Sequence, residues 1–238
     1  RGRVLNHAAP CGRHPGHLPQ PVGRHFLELG QRRARLPRQA QHAEARTALP
    51  EPDGWWAEVN NLDLAVYAAI AATPTPTLDG FFRGLSRAAN NSKLWIASAA
   101  VLATIGGPGG RRAAVNGLAS VAVTSAVVNL VLKPLGRRHR PDRATHHVPI
   151  TRQVTMPRTT SFPSGHAASA SAFATGVASA APEAGIPVST AATLVAYSRV
   201  HTGVHYPIDV IAGSLTGEAL ALLTVAALAR RRRRRLDG

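Results

Sequence analysis

The stretch "AAVNGLASVAVTSAVVNLVLKPLGRRHRP", residues 113–141, changes character abruptly at its twentieth residue. Residues 113–132 carry no charge, and 20 apolar and small residues in helical geometry match the ~20 needed to cross a hydrocarbon layer. Lys133, Arg137, Arg138 and Arg140 follow at once. A second run, 208–229, has 22 residues; three shorter Ala-rich runs cover 94–105, 166–181 and 187–199. Without strand alternation, the periodicity predicts an all-α, multi-helix membrane bundle with about five to six core helices. The Ala-rich shorter runs leave a soluble helical bundle as the alternative, and two spanning-length segments weigh against it.

The rest of the chain divides around this core. Over residues 1–54, Arg, His, Pro and Gln prevail without apolar periodicity, which predicts a disordered or non-native extension. The chain starts at Arg1 and its one Met is Met156, the pattern of a fragment, a processed product or an over-extended gene. Residues 55–90 hold two short helical patterns, 62–72 and 78–89, with Trp55, Trp56, Phe81 and Phe82 suited to a membrane interface. Residues 91–229 form the helical core, and 230–238 a basic tail. Mean hydropathy, −0.05, hides this division.

The net charge is +16, yet nine Arg in residues 1–46 and six in Arg230–Arg235 supply 15 of the 28 basic residues. With aromatics at 5% and no basic stripe interleaved with them, nucleic acid is excluded as a partner. Cys11, the single cysteine, forms no internal disulfide.

If the five core segments cross alternately, 106–112, 181–187 and the final arginine run share one side. Residues 133–141, 163–166 and 198–209 share the other. The first cluster there is cationic, with Asp142 its nearby carboxylate; it suits either a positive-inside loop or an anion met by guanidinium forks. Ser164 and Gly165 stand where a helix begins, as a cap or as an anion site, with His166 next. His201 and His205 have metal-pair spacing, but Gly203 and Pro207 interrupt the helix that would align them, so no metal is expected. Asp209, four residues after His205, can set that histidine's tautomer. Gly213 and Gly217 allow close helix approach, and Glu218 is expected to face the bundle.

As patterns these are K-x6-R-P from Lys133 to Pro141, P-S-G-H from Pro163 to His166, and S-R-x5-H-x3-D from Ser198 to Asp209. Together they resemble the three-part signature of the type 2 phosphatidic acid phosphatase (PAP2) and vanadium haloperoxidase superfamily, over about residues 60–229. The resemblance implies that His205 attacks phosphorus and forms a phosphohistidine, Asp209 orients His205, and His166 acts as acid and then base. It implies that Lys133, Arg140, Ser164, Gly165 and Arg199 hold the phosphoryl oxygens, with no metal or other cofactor. Outside the signature, Arg137 and Arg138 are expected in a solvated loop and His201 in a structural role. The 22 residues 141–162 are a candidate for substrate selection.

The function implied is a multi-pass membrane phosphatase acting on a lipid phosphate or diphosphate, phosphatidate-like or polyprenyl-linked. The alternatives are a haloperoxidase, which would hold vanadate as its cofactor, and a non-catalytic membrane protein. The six-Arg run predicts a cytoplasmic C-terminus and an active site on the outer face. The chain also resembles actinobacterial members, some of which continue into a lipid-kinase domain; the end at RRRRRLDG leaves open whether such a region is missing here.

Overall fold

The computed structural model describes residues 54–237, and among them every regular element is helical. The extension expected over 1–54 lies, up to residue 53, outside the described residues. Helices α1 (Gly54–Ala72) and α2 (Pro76–Ala88) come first, separated by the proline-containing turn that stops the one and starts the other. A 3-10 turn, Asn90–Ser92, leads into α3 (Lys93–Ile105). Helix α4 (Gly107–Leu135) is next, then an irregular connection, and then α5 (Gly165–Ala178), α6 (Pro182–His201) and α7 (Pro207–Arg234).

Helix α5 is the centre of the bundle and packs on α4, α6 and α7. Its sequence, GHAASASAFATGVA, is nearly all small, which lets three helices close on it at once. The close approach expected of Gly213 and Gly217 is directed at this helix. A Cβ on Gly217 would lie 2.0 Å from the Ala168 carbonyl oxygen, and one on Gly213 2.4 Å from that of Ser164. Backbone cannot yield as a side-chain tip can, so Gly217→Leu is expected to destabilise the fold by about 1–3 kcal/mol or more. The check is thermal unfolding in detergent, beside a substitution at outward-facing Leu215 as control. Phe173, the one aromatic hydrocarbon side chain of α5, stacks at 5.3 Å on Trp95 of α3; both are buried.

Element bounds differ from the sequence expectation in three places. Of the glycine-rich 106–112, residues 107–112 open α4 rather than forming a loop, with Gly106 before them and Pro108 tolerated where no N–H is needed. Pro187 lies inside α6, which therefore runs 20 residues, ~30 Å at 1.5 Å per residue, instead of starting at that proline. Helix α7 continues through Arg234, so most of the arginine run is helical.

Helices α4 and α7 are long and apolar enough to cross a membrane. Only 33% and 22% of their most apolar windows are buried, whereas core helices of a water-soluble domain are mostly buried. Leu130, Leu215 and Leu223 project outward, as suits hydrocarbon surroundings. Glu218, expected to face the bundle, is exposed but borders a polar groove of the bundle, lined by Ser171 and Thr175 of α5, Ser189 and Thr193 of α6, and Ser214. The helix turns its glycines toward α5, and Glu218, next to Gly217, borders the groove beside that contact.

The connection 136–164 is tied down by buried charge. Arg152, 1% exposed, donates to Asp79 of α2 and to the carbonyls of Ile70 and Thr73. Asp79 also holds His201 Nε2 at 3.1 Å, the structural role expected of that histidine.

Candidate active site

The three polar clusters meet at one end of the bundle, as alternate crossing requires. At the other end, Arg232 donates to Asn116 and Asn116 to Ser179, joining α7, α4 and the end of α5. Residues 106–112, 181–187 and the arginine run thus gather away from the clusters.

Lys133 is delivered by the last turn of α4, just after the helix widens into a π turn over Val128–Leu132. Such turns rotate the succeeding residues relative to a regular helix and recur at functional sites. Its ammonium lies over α5's first residue: a Cβ on Gly165 would sit 3.5 Å from Lys133 Nζ. Lys133 Nζ donates to Thr159 Oγ1 at 3.3 Å. Arg140 is held by backbone oxygens, donating to Thr159 O and Val204 O, each at 2.8 Å, and to Thr160 O at 3.2 Å. Burial lowers its pKa from the ordinary guanidinium value.

Ser164 is fully buried and caps α5, its hydroxyl accepting from Ala167 N at 3.5 Å. Its own N–H donates to the Asp209 carbonyl at 2.9 Å, which joins the start of α5 to the start of α7. Both readings of this position therefore meet: the cap also places the first turn's free N–H groups beside Lys133. His166 Nε2 donates to Asn90 Oδ1 at 2.8 Å. Asn90 belongs to the turn after α2, and no motif announced it.

Arg199, 1% exposed, donates to Ser86 of α2, and its Nε is buried without a partner. His205 is 2% exposed in the loop between α6 and α7. Its Nε2 faces Arg140 Nη1 at 3.2 Å. A guanidinium has no lone pair to offer, so Nε2 is the acceptor and the ring hydrogen sits on Nδ1. That hydrogen points at Asp209 Oδ2, 3.6 Å from Nδ1, looser than a hydrogen bond as resting sites often are. Burial, outweighing the Asp209 contact and helped by Arg140 and Arg199, pushes the His205 pKa down to about 4. The imidazole is thus neutral at pH 7 with its free electron pair on Nε2.

Asp209 is fully buried, accepts from Tyr206 N at 3.0 Å and Ser161 Oγ, and pairs with Arg138 Nη1 at 2.9 Å. Arg138, expected in a solvated loop, instead bridges Asp209 to Asp63 of α1 and lies over the Tyr206 ring at 4.3 Å. The physical reason is the buried carboxylate pair, which needs a cation. Sequence alone could not bring Asp63 close. Arg137 is exposed, as expected.

Among the described residues, Lys133, Arg140 and Arg199 form no ion pair with any carboxylate. Arg140 touches the neutral imidazole, Arg199 lies near enough to depress its pKa, and Lys133 stands beside the start of α5. Buried charge without a counter-charge is costly, so an anion is the complement this arrangement fits. No group of three or more potential ligands suited to a metal occurs among the described residues.

Comparison with known proteins agrees with this geometry. The decaprenylphosphoryl-5-phosphoribose phosphatase of Mycolicibacterium smegmatis is 40% identical over 155 residues, which are 63% of this chain and 78% of that protein. The crystal structure of Aquifex aeolicus LpxE superposes with a TM-score of 0.58 at 23% identity, covering 69% of this chain and 95% of that one. A transmembrane PAP2 type phosphatidylglycerolphosphate phosphatase from Bacillus subtilis gives a TM-score of 0.55 at 25% identity, over 73% and 87%. The family model for the PAP2 superfamily matches residues 114–233, the span from α4 to α7 that carries the three clusters. On its sequence and its fold alike, this chain belongs to the PAP2 superfamily.

Proposed function

We propose that the protein is a membrane phosphatase that removes a phosphoryl group from a lipid phosphate or diphosphate through a phosphohistidine. The observation that carries the reading is that Arg140 touches the unprotonated Nε2 of His205, with Arg199 and Lys133 close by, and that none of the three cations has a carboxylate partner among the described residues. In the first step His205 Nε2 bonds to phosphorus, the ester P–O bond breaks, and the leaving oxygen takes a proton from His166. In the second, water attacks the phosphohistidine while His166 takes a proton from it, releasing inorganic phosphate and regenerating His205. Lys133, Arg140, Arg199 and the backbone N–H groups following Ser164 and Gly165 stabilise charge on the equatorial oxygens. Asp209, held by Arg138, Ser161 and Tyr206 N, keeps the Nδ1–H tautomer of His205.

In this reading the cations do what a metal would, so turnover persists in chelator. The testing assay measures phosphate release from phosphatidate, a polyprenyl diphosphate and a soluble aryl phosphate by detergent-purified protein in EDTA. Halide oxidation with peroxide and vanadate, without phosphate release, would overturn it in favour of the haloperoxidase. The protein would be multi-pass, with α7 ending in the cytoplasm and the site on the outer face, supported by the six consecutive arginines at the opposite end. Cysteines introduced between 141 and 162 should then react with an impermeant reagent in intact cells.

The pH dependence is set by His205. With its pKa near 4, the nucleophile stays unprotonated to well below pH 6.5. After division by the substrate's own second ionisation, the acid limb of kcat/KM attributable to the nucleophile should fall near pH 4, not near 6.5. Stability has the same sign: between 6.5 and 4 the unfolded histidine binds a proton that the folded one refuses. Stability therefore declines as pH falls through that window and is complete above it.

A further inference from the structure

At the end of the bundle away from the catalytic cluster, a cavity of ≈ 270 Å³ opens between α4, α7 and the end of α5. Arg112 and Asn116 line it from α4, four residues apart and so on one face. Val225, Ala229 and Arg232 line it from α7, spaced four and then three residues, again on one face. None of these residues belongs to the catalytic cluster.

One arginine of the terminal run is drawn back into the bundle here. Arg232 Nη2 donates to Asn116 Oδ1 at 3.1 Å, Asn116 Nδ2 donates to Ser179 Oγ at 2.9 Å, and Ser179 Oγ donates to the Gly176 carbonyl at 2.6 Å. The direction of every bond is forced, since a guanidinium only donates and a carbonyl only accepts. Asn116 is buried, so it is a fixed seat for Arg232. The other arginines of the run make no side-chain hydrogen bond among the described residues. The bond to Asn116 uses one N–H of the guanidinium and leaves the others for a further acceptor.

Charge and position narrow what fits. Neither Arg112 nor Arg232 forms an ion pair among the described residues, and the lining contains no carboxylate. Two guanidinium groups on one cavity repel unless an anion lies between them, and their N–H forks match phosphate oxygens. The wall beside them is aliphatic: Val225 and Ala229 continue toward Leu222, three residues before Val225 on the same face and exposed. The apolar run of α7 gives way to arginine at Arg230, so the cavity lies at the level where hydrocarbon meets headgroups. A free inorganic anion would meet the arginines and leave the aliphatic wall wet, whereas an amphiphile covers both. A choline or ethanolamine head would bring an ammonium that no lining group receives.

Independently of the catalytic reading, we propose that this cavity binds the phosphate of an anionic phospholipid in the leaflet opposite the active site, with Arg112 and Arg232 on the phosphate oxygens and an acyl chain along Val225 and Ala229. Basic pockets between membrane helices hold anionic headgroups in this manner. The bound lipid bridges α4 and α7, the two spanning helices, at the ends farthest from Lys133 and Asp209.

The test follows the melting temperature of the full chain in phosphatidylcholine–detergent micelles as phosphatidylglycerol, or in a parallel series inorganic phosphate, is added. Phosphatidylglycerol should raise the wild-type melting temperature saturably, where further phosphatidylcholine does not. Arg112→Gln and Arg232→Gln should each raise the mole fraction needed for half the shift at least about threefold. Arg234→Gln, about 200° round the helix from Arg232, should leave it unchanged. Arg112 is exposed, and glutamine at 232 keeps a donor for Asn116, so both cavity variants should melt like the wild type before phosphatidylglycerol is added. Native mass spectrometry should show phosphatidylglycerol retained by the wild type and lost from both. Equal midpoints in the wild type and both cavity variants, or an equal loss in Arg234→Gln, overturn the site. A shift that depends on Arg112 and Arg232 and is produced as fully by inorganic phosphate overturns the lipid in favour of a free anion.

Discussion

Replacing His205 by asparagine is expected to lower kcat by about 10⁴-fold or more, with folding and membrane extraction intact, because it removes the imidazole that bonds to phosphorus in the proposed mechanism. Asparagine keeps polar bulk in a site that is 2% exposed, so the expected loss is of chemistry and not of packing. His166→Asn should behave differently. It removes proton transfer, typically worth about 10²–10⁴-fold, and the loss should be smaller for an aryl phosphate, whose leaving group needs no proton. With that substrate, His166→Asn should release one equivalent of aryl alcohol quickly and then stall, since water attack on the phosphohistidine still needs the base. Rapid-quench measurement distinguishes the two variants. A burst that survives in His205→Asn would show that another residue is phosphorylated.

Arg199→Met carries the second large effect, and it has opposite signs for activity and stability. Its guanidinium is 1% exposed, has Ser86 as its side-chain partner, and leaves Nε unpaired. Losing a cation aimed at the developing charge should cost about 10²–10³-fold in kcat. Replacing an uncompensated buried charge by an apolar side chain of similar length should raise the melting temperature in detergent. Inorganic phosphate or vanadate, which should stabilise the wild type by binding its folded state, should stabilise the variant less. A variant that melts lower than wild type, with phosphate still stabilising it fully, would mean that Arg199 holds α6 to α2 instead of holding an anion.

Arg199 also illustrates how unevenly the site could be read. Its place in S-R-x5-H-x3-D marked it, as K-x6-R-P marked Lys133 and Arg140. Ser86, which receives it, lies 113 residues earlier in a segment with no motif. Asn90 and Asp63 are similarly distant from the groups they hold, 76 residues from His166 and 75 from Arg138. Each is an ordinary polar residue in an ordinary position along its helix or turn. Only packing of α1 and α2 against the bundle turns them toward the site, and single-sequence patterns carry no signal of such pairing.

Sequence by itself determined the helical class, the two spanning segments, the order of the three clusters and their placement at one end. Each arises from local quantities: apolar run length, helix-stopping residues, and the alternation that short connections impose. Tertiary structure alone decided that Arg138 bridges Asp63 and Asp209, that Glu218 borders a groove shared by α5, α6 and α7, and that His205 offers Nε2. Those outcomes depend on which surfaces of the helices meet. A glycine face on α7 drew its contact to α5, two buried carboxylates required one cation between them, and Arg140, able only to donate, set the tautomer of the histidine it touches.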